Sequence, residues 1–381
     1  MESEQRYRRV WKFCRWAARG PIQHIFAYTC EPVENLDGPC LVVANHNTDL
    51  DPALVGLSFA KQMFFVASEH VFRMGLLSRV LTYLFRPISR VKGATDASAA
   101  LEIVRELKKG HNVCIFAEGN RSFNGLTGPI FPATGKLARM SGATLVTYRL
   151  EGGYLTSPRW SHTLRKGRLF GHGVHVYSPE QLKAMKPDAI NEAIREDLME
   201  DAFARQEAQP VPYRGKRLAE GLENALFICP VCGKIGAMAG GGDRFRCTCG
   251  MEVRYTEYGT FAGAHAPFPN IRDWDAWQRE ELERCARDPE LTLTDDGIQL
   301  VSVGTGHGVE VLAAGTLRMD RTSLTVGDRR MTLTDIGDMA LVGRSNIVFS
   351  MGETHYEISR AFGDFCGRKY SMLYQIWKES R

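Results

Sequence analysis

Short apolar runs bounded by turn-forming residues recur through the first half of the chain. Cys40-Leu41-Val42-Val43-Ala44, Phe64-Phe65-Val66-Ala67 and Val113-Cys114-Ile115-Phe116 are each too short and too uniformly apolar for a surface helix. They read as strands buried on both faces. Further strands are expected at 26–31, 143–150 and 173–177. Between them the spacing becomes helical. Ala99, Ala100, Ile103, Val104 and Leu107 share one face of a helix over 96–110, closed by Gly110. Helices are also expected over 52–61, 71–85, 133–141 and 187–205, the last carrying Ile190, Ile194, Leu198 and Ala202 in steps of four. A strand, a helix and another strand in succession imply a parallel pairing.

Two flanking regions differ. Residues 6–19 form an amphipathic pattern, with Tyr7, Val10, Trp11, Cys14 and Ala18 on one face and Arg8, Lys12, Arg15 and Arg19 opposite. That composition suits a helix lying on an anionic bilayer surface. It equally suits a surface helix packed on its own domain. From residue 290 the period falls to two. Nine short alternating segments follow, at 291–294, 298–303, 309–312, 315–319, 323–326, 331–333, 339–342, 346–349 and 354–358, and then a helix near 368–377. Such a run argues an antiparallel barrel or sandwich. With one terminal helix it loosely resembles a pleckstrin-homology-like barrel, a binding module more often than a catalyst.

Composition narrows the choices. A chain of 381 residues with 44% hydrophobic and 24% charged residues should hold two or three globular domains. The net charge of +4 gives no argument for nucleic acid. Ten cysteines and no apolar leader are expected of a protein in a reducing cytoplasm. The best apolar stretch, 71–85, is broken by Arg73 and Arg79, so membrane contact is expected to be peripheral, on the inner face.

The chemistry concentrates at two strand ends. The 40–44 strand runs into Asn45-His46-Asn47-Thr48-Asp49-Leu50-Asp51-Pro52. A tight turn can bring the Asp51 carboxylate to His46, fixing one ring nitrogen and freeing the other to take a proton from a hydroxyl. Alone, the pair reads equally well as a strand cap followed by a helix cap. The 113–116 strand runs into Ala117-Glu118-Gly119-Asn120-Arg121-Ser122, which sets an acid, a flexible turn and a phosphate-matching guanidinium at one point.

Together the two stretches resemble the first and third motif blocks of the glycerolipid (lysophospholipid) acyltransferase family, N-H-x4-D and F-P-E-G-T-R-S. Ala117 and Asn120 stand where the family carries Pro and Thr; the His, Asp, Glu, Gly, Arg and Ser positions agree. The resemblance, over about residues 20–205, implies His46 and Asp51 as the catalytic pair. It implies a substrate pocket formed by Glu118, Gly119, Asn120, Arg121 and Ser122. Arg90, in Arg86-Pro87-Ile88-Ser89-Arg90, occupies the phosphate-binding position of the second block, although the Gly and Phe of that block are missing. Thr147 stands near the fourth block's Pro, which leaves the acceptor open. The implied donor is acyl-CoA or acyl carrier protein, and the implied acceptor is lysophosphatidate or a related lysophospholipid.

Cys229-Pro230-Val231-Cys232-Gly233 and Cys247-Thr248-Cys249-Gly250 make two knuckles. Four thiolates in two close pairs suit a structural zinc ion with no open coordination position. The expected fold class is therefore α/β: an acyltransferase domain with a mixed sheet flanked by helices (1–205), a linker and zinc ribbon (206–262), and a connecting helix with an antiparallel barrel-like domain and terminal helix (263–381). The rival reading is a non-catalytic membrane or protein adaptor built on a decayed acyltransferase fold.

Overall fold

The run Cys40–Ala44 is a strand with no exposed residue, at the centre of a seven-stranded sheet. The computed structural model describes residues 2–34, 36, 38–68, 76–90, 97–263, 266–304 and 309–380. They divide into two compact units, one of residues up to 159 together with 164–215, the other of 160–163 and 216 onward.

In the first unit the chain runs α1 (Glu2–Phe26), β1 (Tyr28–Cys30), β2 (Cys40–Ala44), α2 (Asp51–Ser58), β3 (Met63–Ser68), α3 (Leu76–Phe85), β4 (Ile88–Arg90), α4 (Ala97–Lys108) and β5 (Asn112–Phe116). It continues through α5 (Ala133–Ser141), β6 (Thr144–Glu151), α6 (Gly153–Thr156), β7 (Leu169–Tyr177), α7 (Pro179–Ala184), α8 (Pro187–Leu198) and α9 (Ala202–Ala208). The sheet order is β1-β7-β6-β2-β5-β3-β4. The β6–β7 pair is antiparallel and every other pair is parallel, so the sheet is mixed. Period two explains how β2 is buried twice over. Cys40, Val42 and Ala44 join a core with Trp11, Leu54 and Val55, while Leu41 and Val43 join another with Ile103, Leu107, Ile190 and Ile194. Helices therefore cover both faces.

Three expectations shift. The first helix, expected over 6–19, continues through Gly20 and Pro21 and ends at Phe26. Pro21 lies on the exposed face, where water can take the freed carbonyl, while Ile22 and Phe26 anchor the last turn in the core. The 187–205 helix is two helices, because Asp201 caps α9 by accepting from the amides of Phe203 and Ala204. The stretch expected to be a linker is packed as far as residue 215. Tyr213 is buried and donates to the Arg168 carbonyl at 2.7 Å, and Arg214 bridges to Lys166. Of the expected 71–85 helix, residues 71–75 lie outside the described residues, as does Asp96.

The second unit holds a four-stranded antiparallel ribbon of β8 (Met238–Gly241), β9 (Arg244–Cys247), β10 (Glu252–Tyr255) and β11 (Phe261–Ala262), followed by α10 (Ile271–Cys285). A seven-stranded antiparallel sheet comes next: β12 (Leu293–Val303), β13 (Val309–Met319), β14 (Ser323–Val326), β15 (Arg329–Thr332), β16 (Ala340–Val342), β17 (Asn346–Met351) and β18 (Thr354–Arg360), closed by α11 (Gly367–Glu379). The order β15-β14-β13-β12-β18-β17-β16 leaves β15 and β16 as edges, so the sheet is barrel-like without hydrogen-bonded closure. Buried polar contacts join α10 and α11 to the chain just before the ribbon. Arg368 on α11 meets Asp275 on α10 at 2.7 Å and the Ala225 carbonyl at 2.6 Å. Gln278 on α10 accepts from the amides of Phe227 and Ile228, just before the first knuckle.

Candidate functional site

His46 leaves β2 at its carboxyl end and Glu118 leaves β5 at the same end, because the two strands are parallel neighbours with Ala44 opposite Phe116. The turn after His46 folds back at Asp51, the first residue of α2, with Pro52 behind it. This brings Asp51 Oδ2 to His46 Nδ1 at 2.8 Å. Asp51 is buried and fully engaged: it also accepts from the Asn47 amide at 2.7 Å, the Thr48 amide at 2.9 Å and the Thr48 hydroxyl at 2.7 Å. A carboxylate held by the turn it closes cannot swing away, so the imidazole is aimed through Nδ1. The ring stacks on Phe116, centroids 4.6 Å apart.

Glu118 points inward. The His46 amide donates to its Oε1 at 2.7 Å, and the Gly128 amide donates to Oε2. Burial pushes its carboxyl up to about 8, against the lowering effect of these two amides. Gly119 follows with φ of +68°, and a Cβ there would sit 2.3 Å from the Phe131 ring; glycine is required on both counts. Arg121 turns toward the His46 turn and pairs through Nη1 with Asp49, while Nη2 reaches the Ser157 carbonyl at 3.4 Å. Ser122 closes its own loop, accepting from the Gly125 amide at 2.9 Å. The Asn120 side-chain oxygen lies 3.4 Å from Arg159 Nη2. Arg90 ends β4, whose pairing with β3 puts its backbone at the same sheet end.

Several supporting residues complete the site, and of these Arg159 carried no sequence signal of its own. Asn45 donates to and accepts from the Leu150 backbone, and Asn47 also donates to the Leu150 carbonyl, locking the turn to β6. Arg159 is buried, lies 4.3 Å over the Phe123 ring and donates to the Arg121 carbonyl at 3.0 Å. It stands in an ordinary Ser-Pro-Arg-Trp context. Thr147 is buried against Asp197 at 2.8 Å and the His175 backbone, a polar knot on β6 and β7.

The apolar face of α1 is packed rather than free. Trp11 is buried with its indole on the Phe59 carbonyl at 3.3 Å, and Tyr7 meets Phe64 edge-on. The opposite face carries Phe13 at 63% and Trp16 at 77% exposure, rings 6.0 Å apart, beside exposed Arg8, Arg9, Lys12 and Arg19. Among the described residues no helix is long and apolar enough to cross a membrane.

In the second unit, the sulfurs of Cys229, Cys232, Cys247 and Cys249 all lie within 4.8 Å of one another. Cys229–Cys249 and Cys232–Cys247 are 3.8 and 3.7 Å apart. A tetrahedron with metal–sulfur bonds of about 2.3 Å has edges of about 3.8 Å, whereas a disulfide requires about 2.05 Å. The amides of Val231 and Cys232 point at the Cys229 sulfur, and that of Met251 at Cys249, as thiolate ligands require. The four-cysteine cluster fits a metal ion.

Residues 24–151 match the acyltransferase family model. Two chloroplastic 1-acyl-sn-glycerol-3-phosphate acyltransferases are similar to this chain. The one from Brassica napus is 26% identical over 190 residues, 49% of this chain and 53% of the relative. That from Arabidopsis thaliana is 27% identical over 184 residues, 47% and 50% of the two chains. The chain thus spans about half the length of these relatives. The crystal structure of the 1-acyl-sn-glycerophosphate acyltransferase PlsC from Thermotoga maritima superposes with a TM-score of 0.44 at 20% identity, covering 54% of this chain and 81% of that one. Within the first unit, residues 24–151 are thus similar to acyltransferases, and the two curated relatives are 1-acyl-sn-glycerol-3-phosphate acyltransferases.

Proposed function

We propose that this protein moves a fatty acyl group from a thioester, acyl-CoA or acyl carrier protein, to the free hydroxyl of lysophosphatidate or a related lysophospholipid, as a step of phospholipid biosynthesis. The observation that carries the reading is the His46–Asp51 contact of 2.8 Å. Asp51 accepts the Nδ1 proton, so Nε2 is the base. Nε2 takes the acceptor's hydroxyl proton as its oxygen attacks the thioester carbonyl. The tetrahedral adduct collapses, the carbon–sulfur bond breaks, and the departing thiolate recovers the proton from Nε2. Transfer is direct, with no acyl group held on the protein.

Arg121 holds the acceptor's phosphate, with Arg90, from the edge strand two positions away at the same end of the sheet, as its partner. Glu118, taken up by two backbone amides, acts as a positioning residue for the His46 turn. Gly119, Asn120 and Ser122 shape the loop that presents Arg121. The exposed aromatic and basic face of α1 docks the protein peripherally on an anionic lipid surface, on the cytoplasmic side where its thiols stay reduced. Zinc is the metal of the four-cysteine cluster, a closed structural site that takes no part in the transfer.

The test incubates purified protein with lysophosphatidate and a long-chain acyl-CoA, following phosphatidate and free thiol, beside His46→Ala. Product that vanishes in the variant is expected. Equal product from both proteins would sink the reading.

A further inference from the structure

Arg121 is nine-tenths buried, at 10% side-chain exposure, yet its charge is met by a carboxylate that is 85% exposed, that of Asp49. Its remaining contacts are thin. Nη2 has one carbonyl at 3.4 Å, and buried Nε has no hydrogen-bond partner among the described residues. A guanidinium offers five donors in a fixed fork and takes a phosphate by two of them. Because the Asp49 carboxylate stands in water, its attraction for Arg121 is screened, and a ligand that brings two acceptor oxygens displaces it.

Displacement does not remove it. Asp49 is three residues from His46 and two from Asp51, in a turn pinned by the Asp51 hydrogen bonds. Its carboxylate stays within a few ångströms of whatever Arg121 holds. A phosphomonoester, near −2 in charge at neutral pH, meets that carboxylate as a repulsion. A phosphodiester of −1 with an ammonium attached meets it as a partner: phosphate on Arg121, ammonium on Asp49.

We infer that Asp49 sets the acceptor's charge, with the Arg121–Asp49 pair matching the zwitterionic headgroup of a lysophospholipid better than a bare phosphomonoester. This rests on the reading of Arg121 as the phosphate ligand. Neighbouring Arg159 does not alter the argument, since its guanidinium is turned onto the Arg121 carbonyl and the Phe123 ring.

The experiment measures kcat/KM for lysophosphatidate and for lysophosphatidylethanolamine, with one acyl-CoA, in the full-length protein and in Asp49→Asn and Asp49→Glu. Removing one unit charge about 5 Å from a phosphate of charge near −2 should raise the ratio of lysophosphatidate to lysophosphatidylethanolamine at least about tenfold, the lower bound being set by the dielectric of bulk water. The change should lie mainly in KM. Asp49→Glu keeps the charge and should keep the wild-type ratio. A ratio unmoved in Asp49→Asn, or equal losses on both acceptors, overturns the inference while leaving His46-dependent transfer standing. Absence of His46-dependent transfer to either acceptor overturns the underlying function as well.

Discussion

The backbone amide of His46 donates to the side chain of Glu118 at 2.7 Å, across 72 residues of sequence. With the Gly128 amide on its other oxygen, one buried carboxyl joins the ends of β2 and β5 and the loop beyond. Ionised or protonated, a carboxyl accepts at both oxygens, whereas a carboxamide accepts at only one. Glu118→Gln should therefore leave one buried amide facing a donor, at a cost of about 1–3 kcal/mol. The first unit should melt several degrees lower, and kcat should fall at least tenfold as the His46 turn loosens. Unchanged melting and turnover together would remove Glu118 from this role.

The same group makes stability depend on pH. Its folded pKa is raised to about 8 from an ordinary 4.5, so the folded chain binds more protons between those values. The contribution is fully present below about 4.5 and is lost as pH rises through about 8. Urea titrations of the wild type and Glu118→Gln from pH 5 to pH 9 isolate it. The stability advantage of the wild type should shrink as pH rises, and an advantage constant with pH would contradict the assignment.

Asp51→Asn tests the other arm of the turn. Asp51 oxygens receive His46 Nδ1, two backbone amides and the Thr48 hydroxyl. One amide oxygen cannot serve that set, and its NH2 group opposes a backbone N–H. Acyl transfer should drop about 100-fold or more, with a parallel loss of stability of about 1–3 kcal/mol. Restoring stability with a tight-binding ligand or lower temperature should leave the catalytic loss in place. Recovery of turnover with stability would instead assign Asp51 a purely structural part.

Strand ends at His46 and Glu118 were legible because short apolar runs stopped by turn residues have few other solutions. The join between them was not legible, since a hydrogen bond from a backbone amide to a carboxylate 72 residues away leaves no periodicity. The pairing of β1 with β7 was equally silent. In the second unit the turn signal Asp295-Asp296-Gly297 suggested a break, yet β12 runs through it, with Gly297 at φ of +70° and a register shift absorbing the turn. Helical spacing grouped Tyr7, Val10, Trp11, Cys14 and Ala18 against Arg8, Lys12, Arg15 and Arg19, but Arg15 donates to the Leu57 carbonyl at 2.9 Å, because which side of α1 meets its own domain depends on the sheet beneath, which the helix sequence does not contain.

Metal content separates the cysteine cluster from four free thiols. Purified protein should carry about one zinc ion per chain by elemental analysis. Chelation should lower the melting transition of the second unit, because a structural zinc contributes on the order of 10 kcal/mol to a small module. Cys232→Ser should reduce zinc occupancy and reproduce the chelated transition. A protein that melts identically with and without chelator would argue that the ribbon core of Phe245, Phe261 and Trp274 holds the module by itself.

Phe13 and Trp16 give the membrane proposal its sharpest test, because neither supports the fold: both stand on the solvent side of α1. Removing two aromatics from a bilayer interface, each partly inserted, should cost about 1–3 kcal/mol of binding. That corresponds to roughly 5- to 150-fold weaker partitioning. Phe13→Ala/Trp16→Ala should therefore detach from vesicles of mixed phosphatidylglycerol and phosphatidylcholine while melting like the wild type. Raising salt should weaken the wild type further through Arg8, Arg9, Lys12 and Arg19. Wild-type binding should be lost on purely zwitterionic vesicles at physiological salt. Turnover on a short-chain acceptor dissolved as monomers should be preserved in the double variant, which separates docking from chemistry. Equal vesicle binding by the two proteins would move the lipid contact away from this face of α1.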